Sequence, residues 1–173
     1  MTTTLIMTFT ASDQPGVVER ISAAVADNGG NWMESRMAHL AEKFAGVILI
    51  GVADKQLENM EKSLLSLESG DFHVRLERAR DVVTPAKKRM EIDVFGFDHP
   101  GIVHELTRYL ASHGFSVEEM ETTVEDAPVS GGTHFRAKVI ISGDAAMDDD
   151  ALADALQTLG NALEVDIDLV EPV

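Results

Sequence analysis

Apolar positions along the chain change their period at regular intervals, and each change marks a new element. Leu5, Met7 and Phe9 alternate with Ile6, Thr8 and Thr10, a period of two that predicts a strand with one strongly apolar face. Val17, Ile21, Ala24 and Val25 then fall at helical spacing. Asn28-Gly29-Gly30 supplies the stop, because glycine takes the left-handed cap conformation without strain. A second strand is predicted over residues 32–40 and a third over 44–53, the latter so uniformly apolar that it suits a sheet centre. Leu57, Met60, Leu64 and Leu67 mark a second helix, and Phe72, Val74 and Leu76 a closing strand.

The same series then begins again. Asp13-Gln14-Pro15-Gly16-Val17-Val18 recurs as Asp98-His99-Pro100-Gly101-Ile102-Val103, a shift of 85 residues. That shift also maps Leu5, Met7 and Phe9 onto Met90, Ile92 and Val94, and Ile21, Val25 and Gly29 onto Leu106, Leu110 and Gly114. Strands over 115–125 and 135–142, a helix through Leu152, Leu156 and Leu159, and a strand through Leu163, Val165, Ile167 and Leu169 complete the copy. The expected fold is α+β: two β-α-β-β-α-β units in tandem, each a ferredoxin-like antiparallel sheet with its helices on one face. The expected division is residues 1–83, a linker at 84–89, and residues 90–173, with the 127–132 stretch as an exposed loop. Folds of this kind serve many functions, so function has to be argued from the loops.

Composition narrows the choices. With 14 Lys+Arg against 30 Asp+Glu the chain carries −16, which argues against direct nucleic-acid or anionic-membrane binding. The excess is uneven: residues 1–117 hold 16 acids and 12 bases, whereas 118–173 hold 14 acids and only Arg136 and Lys138. Such asymmetry points the second unit toward a basic protein partner. Lys87-Lys88-Arg89, the sole basic cluster, reads as part of a solvated linker. There is no cysteine, hence no disulfide, thiolate nucleophile or cysteine-based metal site. The first ten residues lack a basic region before a long apolar stretch, and the longest apolar run is too short to cross a bilayer, so a cytoplasmic protein is expected.

The repeated Asp-x-Pro-Gly joins a strand to a helix. Glycine lets the backbone approach a ligand closely, helix N–H groups favour a carboxylate, and a nearby side-chain carboxylate can hold an ammonium group. Together they could seat a zwitterion. The alternative is structural: Asp13 and Asp98 as N-caps, with proline and glycine shaping a tight turn.

Tandem units with Asp-x-Pro-Gly at the head of each first helix resemble ACT domains, small regulatory modules that often sense amino acids. The first copy's run from Asn31 through Glu34, Ser35 and Arg36 to Phe44 further resembles the glycine cleavage system transcriptional repressor family, likewise two ACT units with little else. The second copy has Ser116 in place of Asn31, and Glu119-Met120-Glu121 in place of Glu34-Ser35-Arg36. This resemblance implies an amino-acid ligand, glycine or a similar small one. It points to Asp13, Gln14, Gly16 and Val17 with Asn31, and to Asp98, His99, Gly101 and Ile102 as a second set. It also implies a regulatory protein partner rather than DNA contact. Arg20, Arg36 and Lys43 are the nearest bases by element.

Other chemistry is poorly announced. His99, His104 and His113 lack the i, i+4 spacing of a two-histidine metal site, and Asp148-Asp149-Asp150 fits the start of a helix better than a calcium loop. No nucleophile elbow, phosphate loop or dinucleotide fingerprint is present, so no enzyme, cofactor or metal is expected. An alternative to amino-acid sensing is an interaction module whose uncovered sheet faces, apolar by alternation, assemble with a partner or as a homo-oligomer.

Overall fold

Both copies fold in the element order that their periodicity implies, with Leu67 falling beyond the second helix, Phe72 just before the first unit's closing strand, and Leu163 ending the last helix where a strand residue is expected. The computed structural model describes residues 1–79, 87–127, 131–144 and 148–170. In the first unit, β1 (Thr2–Ser12) leads into α1 (Val17–Asp27), β2 (Asn31–Leu40) and β3 (Lys43–Ala53). A short 3-10 turn at Asp54–Gln56, α2 (Leu57–Leu65) and β4 (His73–Arg78) follow. The second unit repeats the order as β5 (Lys87–Phe97), α3 (Ile102–Ser112), β6 (Ser116–Asp126), β7 (Thr133–Asp144), α4 (Asp149–Leu163) and β8 (Val165–Val170). The sheets are antiparallel, in the orders β2-β3-β1-β4 and β6-β7-β5-β8. The chain divides into compact units at Val82 and Val83. Among the described residues no helix is long and apolar enough to cross a membrane.

One face of each sheet holds the core. Leu5, Met7, Phe9 and Ala11 of β1 and Ile48, Ile50 and Val52 of β3 are buried beneath Val17, Ile21, Ala24 and Val25 of α1 and Met60 and Leu64 of α2. Met90, Ile92 and Val94 of β5 do the same with Val139 and Ile141 of β7, under Ile102, Leu106 and Leu110 of α3 and Leu152 and Leu156 of α4. The opposite faces are mixed: Thr8 and Thr10 are exposed on β1 and Asp93 on β5, but Val47 of β3 and Phe95 and Phe97 of β5 are exposed apolar side chains beside them. Glu91 of β5 accepts an ion pair from Lys138 of β7 at 2.8 Å.

Three local details bear on the site. The register slips at equivalent places in both units, between Trp32 and Glu34 in β2 and between Val117 and Glu119 in β6, so the repeat reproduces even its bulge. Lys87, Lys88 and Arg89, expected in a solvated linker, are instead the first residues of β5. Lys88 is ion-paired to Asp149 at the head of α4, and Arg89 reaches Glu118 at 2.7 Å. The remainder of the expected linker, 84–86, lies outside the described residues, as do 128–130 of the expected loop.

The units differ most between their last helix and last strand. From the start of the helix to the start of the strand is the same distance in sequence, 57 to 73 in one and 149 to 165 in the other. The first unit ends α2 at Leu65 and forms a loop over 66–72, rich in Ser, Gly and Asp, with Gly70 at φ 50° and buried Phe72 stacked on Phe9. In the second unit α4 continues to Leu163, and only Glu164 separates it from β8.

Candidate functional site

Asp13 to Gly16 leave the end of β1 as an exposed turn. Gly16 is the residue before α1, with φ 94° and ψ 0°, a conformation that costs any side-chain-bearing residue strain. Its carbonyl accepts the first helical bond, from the Arg20 N–H at 3.0 Å. No side chain caps the helix. Gly101, at φ 104°, is likewise the uncapped position before α3. The N-cap expectation for Asp13 and Asp98 is therefore corrected, because each stands three residues before the cap position.

The two aspartates hold their loops differently. The Asp13 N–H donates to the Glu42 carbonyl at 3.1 Å, and the Asp98 N–H to the Thr133 carbonyl at 2.9 Å, so each turn is tied to the hairpin between the second and third strands of its unit. The Asp13 carboxylate lies 3.4 Å from His39 Nε2, both side chains being more than half exposed. The Asp98 carboxylate accepts a long bond, 3.5 Å, from the Thr133 hydroxyl. Ser12 Oγ donates to Asp71 at 2.7 Å, and the Arg20 guanidinium sits 5.1 Å from the Phe72 ring centre, closing the other flank of the first loop.

Four expected residues of the first unit, Asp13, Gln14, Gly16 and Val17, come together in one turn. Asn31 does not join them. It pairs with Gly51, which pairs with Thr4, whereas the loop follows Ser12, which pairs with Lys43 and through it with Leu40. Within the unit Asn31 thus stands at the opposite end of the sheet, about 27 Å away for eight residues at about 3.4 Å each. β1 and β2 run parallel on either side of β3, so the start of one is level with the start of the other. Lys43 is at the loop's end of the sheet, while Arg36 lies further along β2 and pairs with Glu34 at 3.2 Å.

In the second unit Asp98, His99, Gly101 and Ile102 again share one turn, but His99, which replaces the exposed Gln14, is fastened down. Its Nε2 lies 2.7 Å from the Leu163 carbonyl and its Nδ1 3.2 Å from the Pro100 carbonyl. A neutral imidazole carries one N–H, so only the imidazolium can donate to both carbonyls. These bonds, Leu163 first, raise the His99 pKa above its ordinary value, and Glu164 and Asp98 add to the effect. A raised folded pKa means that the clamp stabilises fully below the unfolded pKa of about 6.5 and is lost as pH rises through the higher folded value. We expect the His99 ring resonances to titrate with a midpoint above that of a histidine peptide. Stability to urea is expected to fall over the same range, with this component missing in His99→Gln.

A feature not expected from the sequence is a hollow of about 390 Å³ at the corner where β5, β7, β8 and the end of α4 meet, lined by Phe95, Phe97, His134, Asn161, Glu164 and Asp166 among others. Phe95 and Phe97 stand one shift of 85 from Thr10 and Ser12. That break in the repeat is the available signal, but the histidine comes from β7 and the carboxylates from the end of α4 and from β8, all distant in sequence.

Two β-α-β-β-α-β units with a glycine-headed first helix in each have the layout of tandem ACT domains. The chain matches the family model described as the ACT domain over residues 3–76, most of the first unit, and repeats that unit's strand order in the second. It is related to the glycine cleavage system transcriptional repressor of Escherichia coli (strain K12), 22% identical over 160 residues, spanning 90% of this chain and 83% of that one. A solved protein of unknown function from Galdieria sulphuraria is 31% identical over 100% of this chain and 99% of its own, with a TM-score of 0.88. A crystal structure proposed to be a glycine cleavage system transcriptional repressor superposes with a TM-score of 0.74 at 19% identity, covering 100% and 98%, which speaks for the fold.

Proposed function

We propose that this chain is a non-enzymatic regulatory protein that binds a small amino acid, glycine or one close to it in size, and passes its occupancy to a partner protein. The observation that carries the reading is the first loop: an uncapped helix start behind Gly16, with the Asp13 carboxylate free of capping duty in the same turn. Helix N–H groups suit an α-carboxylate, and Asp13 suits an α-ammonium group. The first loop is the stronger of the two seats, because His99 already fastens the second. A transcriptional role in glycine metabolism, through a partner regulator rather than DNA, follows the relative's name and agrees with the charge of −16.

Binding changes partner affinity only if the two states of the protein hold the ligand unequally. Titration calorimetry with a panel of amino acids tests the reading. Glycine or another small amino acid is expected to bind, and Asp13→Asn to weaken it roughly tenfold or more by removing one charge-assisted bond. Thermal stability is expected to stay unchanged, since Asp13 caps nothing. Absence of binding by every amino acid at millimolar concentration would leave an interaction module as the better account.

A further inference from the structure

No residue of either Asp-x-Pro-Gly loop lines the hollow at the second unit's corner, and its walls combine aromatic rings with carboxylates. His134 lies between two phenylalanines, its ring centre 5.0 Å from that of Phe95 and 5.1 Å from that of Phe97, both tilted. The phenylalanines are exposed, Phe95 by 38% and Phe97 by 54%, although they occupy strand positions where the first unit has Thr10 and Ser12. Phe95 already takes a cation on its ring, the Arg136 guanidinium at 4.9 Å. Two carboxylates, Glu164 and Asp166, line the same hollow, Asp166 directly across the ladder from Phe95.

Glu164 carries a second, independent sign. It is one of only two non-glycine residues at positive φ among those described, at φ 56° and ψ 35°, the left-handed C-cap of α4. Helices favour glycine there, and a glutamate accepts a strained backbone. The first unit has a buried phenylalanine, Phe72, immediately before its last strand; the second has this strained, hollow-lining carboxylate. Aromatic faces attract cations and repel anions through their quadrupole, and the carboxylates add to that preference. The volume is in the range of small-molecule sites.

We propose that this corner is a binding site for a small organic cation, its ammonium head against Phe95, Phe97 and His134 and its charge met by Glu164 and Asp166. The site uses none of the residues assigned to the amino acid, so the two ligands can be tested apart. Tetramethylammonium is the probe, with sodium chloride at equal ionic strength and tert-butanol, its neutral near-isostere, as controls. Tetramethylammonium at millimolar concentration is expected to move the His134 and Phe97 ring resonances saturably, and neither control to do so.

Phe97→Leu keeps an apolar side chain but removes the aromatic face, and is expected to raise Kd roughly five- to thirtyfold. Glu164→Gly is expected to raise Tm by relieving the backbone while also weakening the cation, a combination that a merely structural glutamate would not give. Equal displacement by tert-butanol, unchanged affinity in both variants, or no saturation by tetramethylammonium would each overturn the proposal. Glycine binding at the first loop is expected to be the same in all of these variants.

Discussion

Gly96→Ala is expected to destabilise the protein by about 2–3 kcal/mol, a large effect for the addition of one methyl group. A Cβ at Gly96 would lie 2.6 Å from Val165 Cγ1, 2.8 Å from its Cα and 2.9 Å from its Cβ. The Cγ1 could rotate away, but the Cα is backbone, so β8 itself would have to move. Gly96 is also the last residue of β5 paired with β8, facing Val165 where that strand leaves α4. Movement there would disturb the Leu163 carbonyl that His99 holds. Urea denaturation measures the loss. A change below about 0.5 kcal/mol, within the range of ordinary surface substitutions, would show that the strand end yields freely.

Leu106→Ala carries a comparable or larger penalty, about 3–4 kcal/mol. Leu106 is 1% exposed, on the face of α3 packed over Met90, Ile92 and Val94. Truncation removes its transfer free energy and leaves a cavity that neighbours on a sheet can only partly close. The repeat supplies a comparison, since Ile21, one shift of 85 away, is equally buried in α1 and the same truncation there is expected to cost a similar amount. Leu106→Ile, which keeps the volume, is expected to cost less than about 1.5 kcal/mol in the same urea titration. A small loss from both substitutions would mean that α3 does not contribute to the cooperative core.

The sequence disclosed the fold more fully than the site, for a physical reason. Strand and helix periods are local, and the match at a shift of 85 corroborated each element in one copy from the other. The loop residues Asp13 to Val17 are also contiguous, so their grouping was legible. What depended on register was not. The family resemblance groups Asn31, on the next strand, with the loop residues, yet the pairing of Gly51 with both Thr4 and Asn31 puts it at the other end of the unit's sheet. Asp13 reads as a cap from spacing alone, but the cap position falls on Gly16, whose positive φ no spacing reveals. Lys87 to Arg89 look like linker because charge usually means solvent, whereas their partners Asp149 and Glu118 lie well downstream. The aromatic corner escaped for the same reason, joining residues from β5, β7 and β8.

The missing loop before β8 also has a kinetic meaning. In the first unit seven residues, 66–72, must be closed before β4 can return from α2, and the chain loses their freedom before any sheet contact repays it. In the second, α4 passes to β8 through Glu164 alone, and the Gly160 carbonyl already accepts the Glu164 N–H while the Val165 backbone lies against Gly160. Helix and strand there form a single local corner with almost no closure cost, and low sequence separation favours early contact. The duplicated units thus share an architecture yet differ in which end of it the chain can assemble first.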